Sequence, residues 1–309
     1  MLSPLTMPKT LYVTCPAYAL HGPLDRQKVS ESAVWLGKEL GLEPVLSPLL
    51  DRHAGHGAWL PRVDRERDLL AALDHDLVWA CRGGFGSIEL VEPLLKARPR
   101  KRPGLIGYSD ITVLHACWNV RGWGPGFYGT LSPRTTTGRA GVSLATLMRG
   151  EGLVRDHRVD AGARVLRPGR AKGRLYPACL GVLAGLCGTK ALPSLRGCLL
   201  AIEDINIHPF LMSSNLAQLH LSGALRGVTG IVGGSFTCQD PPDYLGPNQD
   251  EVLAEWAERL GVPAVSRLPF GHLDDALVLP VGRPSELIAA RGGRWSLTIT
   301  AERGAMPWG

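Results

Sequence analysis

The chain has 309 residues, of which 45% are hydrophobic and 20% charged. That is long enough for two domains of ordinary size, and the balance excludes a disordered or fibrous chain. The net charge of +6 is local, because Arg139 to Arg174 holds nine Arg or Lys against three Asp or Glu and the remainder is neutral. That stretch has no interleaved aromatic residue, so base stacking is excluded and no nucleic-acid partner is expected. It reads as a solvated connector, or as a lip that attracts an anionic substrate. The seven Cys form no C-x-x-C pair and sit mostly in apolar runs, as expected for thiols in a reducing compartment. Met1–Pro8 has no charged segment leading into an apolar one, and no run of about 18 apolar residues occurs anywhere. A cytoplasmic protein with no membrane partner is the expectation.

Thr10–Cys15 is a β-rich run closed by Pro16. Asp25–Leu40 has helical spacing at Val29, Ala33, Leu36 and Leu40 and stops at Gly41. Glu43–Leu46 predicts a second strand, Val63–Leu73 an amphipathic helix and Leu77–Cys81 a strand apolar throughout, as in a buried parallel sheet. Ile88–Leu95 is helical, Gly104–Gly107 a strand and Ile111–Val120 a helix. Strands alternating with helices predict an α/β fold with a mostly parallel sheet. The rhythm breaks from about Thr135 to Gly173, which divides the chain into 1–135, a basic linker at 136–173, and 174–309. Beyond it, Cys179–Cys187 is apolar and punctuated by Gly, while Cys198–Ile202 and Val228–Gly233 read as strands. Ser213–Ser222 and Gln249–Leu260 read as helices, and Leu277–Leu279, Leu287–Ala289 and Trp295–Thr300 as short strands. This pattern predicts a second α/β domain with a more barrel-like sheet.

Four segments hold residues that could do chemistry. In Leu105–Thr112 an apolar strand ends at Gly107, a helix begins near Ile111, and Ser109 stands at the junction. A serine there is presented above a sheet edge, and the amide of Asp110 points toward charge developing on a bound carbonyl. Ser and Asp are equally good helix caps, so the local pattern leaves both readings open. Arg82-Gly83-Gly84-Phe85-Gly86 follows the buried strand, and glycines there permit close backbone approach to a ligand. The turn could donate to an oxyanion, bind phosphate or simply be tight, and no Lys follows in P-loop spacing. Glu203 and Asp204 end the apolar run Leu199–Ile202; Glu203 could orient a histidine, or be a carboxylate satisfying loop amides. His272 lies in the turn Leu268-Pro269-Phe270-Gly271-His272.

Two patterns carry no expected site. Gly124–Gly129 fits G-x-G-x-x-G as a string, but it contains Pro125 and lacks the flanking strand and helix of a dinucleotide site. Asp51, His53 and His56 match no zinc spacing. Neither a metal nor a cofactor is expected.

Taken in order, the Gly-Gly-Phe-Gly turn at 83–86, Gly107-Tyr108-Ser109-Asp110-Ile111, the strand ending in Glu203-Asp204 and the late Gly271-His272 turn resemble the LD-carboxypeptidase family. That serine peptidase family includes the murein tetrapeptide carboxypeptidases and the microcin C immunity peptidases. The resemblance runs from about Leu11 to the C-terminus, and Asp64–Leu69 is similar to a family helix that leads into the Gly-rich turn, with its Arg residues out of register. It implies a Rossmann-like N-terminal domain, a swivelling-type C-terminal domain, a site between them and a homodimer. It further implies Ser109 as nucleophile, His272 as general base, Glu203 as its partner and the amides of Asp110 and Gly84 as the oxyanion hole. Arg82 and Gly83 become substrate-binding residues, Arg82 as a cation for a carboxylate. The chain departs from the family at Pro177–Leu180 and at Ile205–Phe210, which flank the cleft. Three readings follow: a carboxypeptidase removing D-alanine from a murein peptide, a peptidase cleaving a peptidyl or aminoacyl nucleotide, and a non-catalytic ligand-binding protein on the same scaffold.

Overall fold

The computed structural model describes residues 8–239 and 243–302. Met1–Met7, most of the segment without a leader pattern, lies outside them. In the first half, β1 (Thr10–Thr14), β2 (Glu43–Leu46), β3 (Leu77–Ala80), β4 (Gly104–Gly107) and β5 (Gly126–Tyr128) alternate with α1 (Pro23–Leu40), α2 (Arg62–Ala72), α3 (Val91–Lys96) and α4 (Thr112–Arg121). The five strands are parallel in the order β2-β1-β3-β4-β5. This is a doubly wound sheet whose order reverses between β1 and β3, where the loops leave a crevice at the carboxyl ends of the strands. All four residues of β3 are buried, as the continuous apolar run requires.

Half of the string at 124–129 is strand. β5 pairs Gly126 with Leu105 and Tyr128 with Gly107, and its glycine is there for packing: a Cβ on Gly126 would lie 2.8 Å from His115 Nδ1.

Residues 136–173 carry regular structure: α5 (Arg139–Met148), β6 (Leu153–Asp156), β7 (Arg164–Arg167) and the start of β8 (Gly169–Cys179). After α6 (Leu180–Ala184) come β9 (Cys198–Asp204), α7 (Pro209–Leu221), β10 (Gly230–Phe236), α8 (Gln249–Leu260) and β11 (Ala264–Ser266). β12 (Leu279–Val281), β13 (Pro284–Ala289) and β14 (Trp295–Ile299) complete the described chain. A second sheet runs β6-β14-β13-β8-β9-β10-β11-β7, parallel from β8 to β11 and antiparallel elsewhere. β6 and β7 are its two edges, which is why their sequence lacks an apolar run: edge strands carry charge outward and resist pairing with other chains. Arg155 of β6 pairs with Asp160, Arg167 of β7 with Glu258, and Arg158, just past β6, with Asp156.

The halves are joined twice. β12 leaves the second half to pair antiparallel with β5, and one apolar cluster contains Trp79, Ile106 and Phe127 together with Leu175, Val232 and Phe270. The segment between β11 and β12 is anchored by α5. The carboxylate of Asp275 accepts the amides of Arg139 and Ala140 at 2.8 Å each, and Val278 N–H donates to Ser143 Oγ at 2.9 Å.

Within the first half, the buried Asp68 on α2 accepts hydroxyls from Tyr12 (2.6 Å), Thr14 (2.5 Å) and Ser47 (2.6 Å), tying the helix to β1. Asp68→Ala leaves three buried hydroxyls short of an acceptor. The expected loss is about 3 kcal/mol of unfolding free energy, read from urea denaturation, while Asp68→Asn loses less.

Candidate active site

Ser109 lies two residues past the end of β4, and its φ of +63° puts a non-glycine residue in the left-handed region. That conformation costs about 1–2 kcal/mol and persists only where neighbours over-determine it. Ser109 N–H donates to Tyr128 Oη at 3.1 Å. The Asp110 carboxylate accepts the amide of Ser87 at 2.8 Å, tying this turn to the end of the Gly-rich one. Burial pushes the Asp110 carboxyl upward, against the pull of that amide. Gly107 is obligatory for packing, since a Cβ there would meet Ile111 Cγ2 at 2.6 Å.

The Gly-rich turn presses against the serine. A Cβ on Gly83 would stand 2.8 Å from Ser109 Cβ and 3.2 Å from its Oγ, and one on Gly84 (φ +118°) would run into the Tyr18 ring. The buried guanidinium of Arg65 holds the turn's frame. It donates to Leu60 O and Pro16 O at 2.8 Å and Gly86 O at 2.9 Å, and pairs with Glu89. Arg82 donates to Asp25 at 3.4 Å and meets His21 Nε2 at 2.6 Å.

Glu203 comes from the end of β9 and is wholly buried. Its Oε1 accepts the Tyr128 hydroxyl at 2.7 Å; its Oε2 accepts the His272 amide at 3.2 Å and faces His272 Nδ1 at 2.7 Å. Because a carboxylate only accepts, Nδ1 carries the proton, and Nε2 is free to accept from Ser109 Oγ, 3.0 Å away. Gly271, at φ +100°, must lack a side chain, since a Cβ would come within 2.4 Å of Glu203 Oε2. Burial first, and then the Glu203 charge, push the Tyr128 phenol well above its usual range, so it remains a donor. The Tyr108 ring flanks His272 at 5.0 Å between centroids.

The structure thus brings Ser109, Glu203 and His272 into one hydrogen-bonded line, with Gly83 and Asp110 alongside. Asp204 is spent on the loop, accepting Gly181 N–H at 2.8 Å and Ile205 N–H at 2.9 Å. The divergent Pro177–Leu180 runs from the end of β8 into α6, where Cys179 N–H donates to Thr112 Oγ1 at 2.9 Å. In the other divergent segment Ile205 and Phe210 are exposed. Of the residues set aside for metal, Asp51 accepts from Arg26 at 3.0 Å and the His56 ring lies 4.7 Å from that of His21. Sequence reasoning missed Tyr128, Arg65 and the buried His115, whose Nε2–H donates to Gly107 O at 2.9 Å. The one available signal for Tyr128 was its place at the end of a short apolar run beside Gly126-Phe127.

A serine at a strained strand-to-helix turn, joined through histidine to a buried carboxylate, has the organisation of a serine peptidase site. The LD-carboxypeptidase N-terminal domain family matches residues 11–129 and the LD-carboxypeptidase C-terminal domain family matches residues 172–287. A Streptomyces coelicolor protein named as a carboxypeptidase is 35% identical over 302 residues, 92% of each chain. A Bacillus subtilis protein named as a murein peptide carboxypeptidase is 29% identical over 294 residues, 91% of this chain and 89% of that one. Muramoyltetrapeptide carboxypeptidase from Oxalobacter formigenes superposes with a TM-score of 0.76 at 25% identity, over 94% of this chain and 99% of the other. MccF in complex with glutamyl sulfamoyl guanosine shares the fold, with a TM-score of 0.69 at 17% identity over 97% and 98% of the two chains. The chain belongs to the LD-carboxypeptidase family of serine peptidases.

Two outcomes follow from the geometry. Tyr128→Phe deprives both the Ser109 amide and Glu203 Oε1 of a partner; a fall of about tenfold or more in kcat is expected with KM little changed, in steady-state kinetics. Burial pulls His115 from 6.5 down to about 4. The unfolded chain therefore binds its proton first as pH falls, and stability declines between pH 6.5 and about 4. That contribution amounts to about 3 kcal/mol, and pH-dependent denaturation of His115→Gln should be flatter by this amount.

Proposed function

We propose that this chain is a serine LD-carboxypeptidase that releases the terminal D-alanine of a murein tetrapeptide. Ser109 Oγ gives its proton to His272 Nε2 and attacks the scissile carbonyl. Glu203 keeps the proton on Nδ1 and stabilises the imidazolium. The amides of Asp110 and Gly84 receive the oxyanion, each such donor contributing about 10²–10³ in rate. Collapse expels the amine of D-alanine, which takes the proton back from His272, and water then releases the acyl group by the same route. Gly83 leaves room for the substrate beside Ser109, and Arg82 is assigned to one of its carboxylates. In this reading residues 1–135 supply the nucleophile, residues 136–173 link, and residues 174–309 supply Glu203 and His272, in a cytoplasmic homodimer.

The observation that carries the proposal is the continuous line from Ser109 Oγ through His272, 3.0 Å and then 2.7 Å, to a carboxylate with no exposure to water. The names of the Bacillus subtilis and Oxalobacter formigenes relatives support a murein peptide as substrate.

The deciding assay is mass spectrometry of murein tetrapeptide and of a peptidyl-nucleotide analogue, each incubated with the protein and with Ser109→Ala. The expectation is loss of D-alanine from the tetrapeptide, reduced at least about 10³-fold in the variant. Cleavage of the nucleotide conjugate alone would replace the substrate. Undiminished turnover by Ser109→Ala would overturn the mechanism.

A further inference from the structure

Tyr108 takes no step in the mechanism above, yet its ring lies against the base and its backbone leads into the nucleophile. It follows β4 with extended backbone (φ −149°, ψ −178°), and its carbonyl accepts the amide of Ile111 at 3.1 Å. The change from this extended residue to the positive φ of Ser109 brings the serine hydroxyl to His272 Nε2 and lays the preceding ring beside the imidazole. The two rings are 5.0 Å apart between centroids and tilted by 51°. The Tyr108 ring also meets Tyr128 edge-on, 6.4 Å away at 83°, so the phenol that donates to Glu203 limits where the Tyr108 ring can lie.

His272 is held by two hydrogen bonds in the plane of its ring, Nδ1 on Glu203 and Nε2 on Ser109 Oγ. Bonds at the ring edge leave its tilt about the line between them open, and a neighbour packed on the ring closes that freedom. The change of charge adds a second demand. On taking the serine proton the imidazole becomes a cation whose side chain is only 12% exposed, so the protein must supply most of the negative potential around it. Glu203 supplies it at the edge of the ring. An aromatic face supplies it elsewhere, and 5.0 Å is inside the reach of about 6 Å over which such a face attracts a cation. The Tyr108 hydroxyl has no hydrogen-bond partner among the described residues. Burial first, and then the Glu203 charge, raise its phenol above the usual range while Arg82 pulls the other way, so the ring stays neutral.

We infer that Tyr108 is a positioning residue whose ring holds the His272 imidazole in line and stabilises the imidazolium formed at each proton transfer. The inference rests on the Ser109–His272 mechanism proposed above and is independent of which substrate the crevice accepts.

The test changes the ring in the full chain by Tyr108→Phe, by Tyr108→Leu, and by pentafluorophenylalanine at position 108, which keeps the shape of Phe and reverses the charge of its face. Two rates are read: steady-state turnover of murein tetrapeptide, and labelling of Ser109 by a fluorophosphonate, which needs the base but no particular substrate. Tyr108→Phe is expected to keep both within about twofold. Tyr108→Leu and the fluorinated ring are expected to lower kcat and the labelling rate by about three- to tenfold, with KM unchanged. A fluorinated ring as fast as Phe overturns the inference, and this variant decides should Tyr108→Leu not fold. Tyr108→Phe as slow as Tyr108→Leu overturns it as well, because the hydroxyl would then be the working group. So does a rise in KM at constant kcat, which would make Tyr108 a substrate contact. Labelling in the expected order by a protein that leaves the tetrapeptide intact keeps the inference and removes the murein reading alone. An intact chain whose Ser109 takes no label removes the mechanism and the inference together.

Discussion

The structure turns on one buried carboxylate. Glu203 is wholly buried and, among the described residues, has no Arg or Lys partner, so its charge must be met by hydrogen bonds, at a penalty of several kcal/mol where they fail. The three donors come from different parts of the chain: the Tyr128 hydroxyl on the first sheet, and the backbone and ring of His272 in the segment before β12. Satisfying this oxygen pair therefore requires both sheets to be in register with each other. The antiparallel pairing of β12 with β5 supplies that register, because it puts Leu279 opposite Tyr128 only seven residues after His272.

Around this point the serine turn is held in a conformation the chain would not adopt alone. A positive φ at Ser109 is maintained because its amide reaches Tyr128, Asp110 holds the neighbouring loop, and Gly83 and Gly107 leave no slack. Arg65 acts from the other side, joining the carbonyls of Pro16, Leu60 and Gly86 to one rigid planar group. Ser109, the Gly-rich turn and the loop after β1 are thus held as one preorganised unit. In the proposed mechanism, such rigidity lets fixed amides stabilise a transient oxyanion without reorganising.

The basic stretch has a structural role of its own. Its α5 lends its first amides to Asp275, three residues from His272, so the helix dipole and the histidine segment stabilise each other. Its strands close both edges of the second sheet, where paired arginines keep the edges soluble. Glu258 and Glu286, from outside the stretch, pair with Arg167 and with Arg170 and Lys172, so its positive charge adds less to substrate attraction than its sequence balance suggests.

By itself the sequence determined the alternation of strands and helices in the first half, because buried parallel strands and amphipathic helices have distinct periodicities. Ser109 and the Gly-rich turn were legible too, since glycines and a polar residue at a strand end are local signals. Glu203 was legible as a carboxylate ending an apolar strand, but not distinguishable from Asp204 by position alone. What separates them is that one faces His272 and the other faces loop amides, a difference of side-chain direction along a strand. His272 had no local signal beyond its turn; only the family resemblance singled it out. Arg65 and Asp275 were invisible, and Tyr128 had no signal beyond its short apolar run, because their partners lie 49, 136 and 75 residues away and no local propensity encodes such a meeting. The tertiary structure alone decided these, since burial is what turns an ordinary tyrosine, arginine or aspartate into an obligatory hydrogen-bond partner.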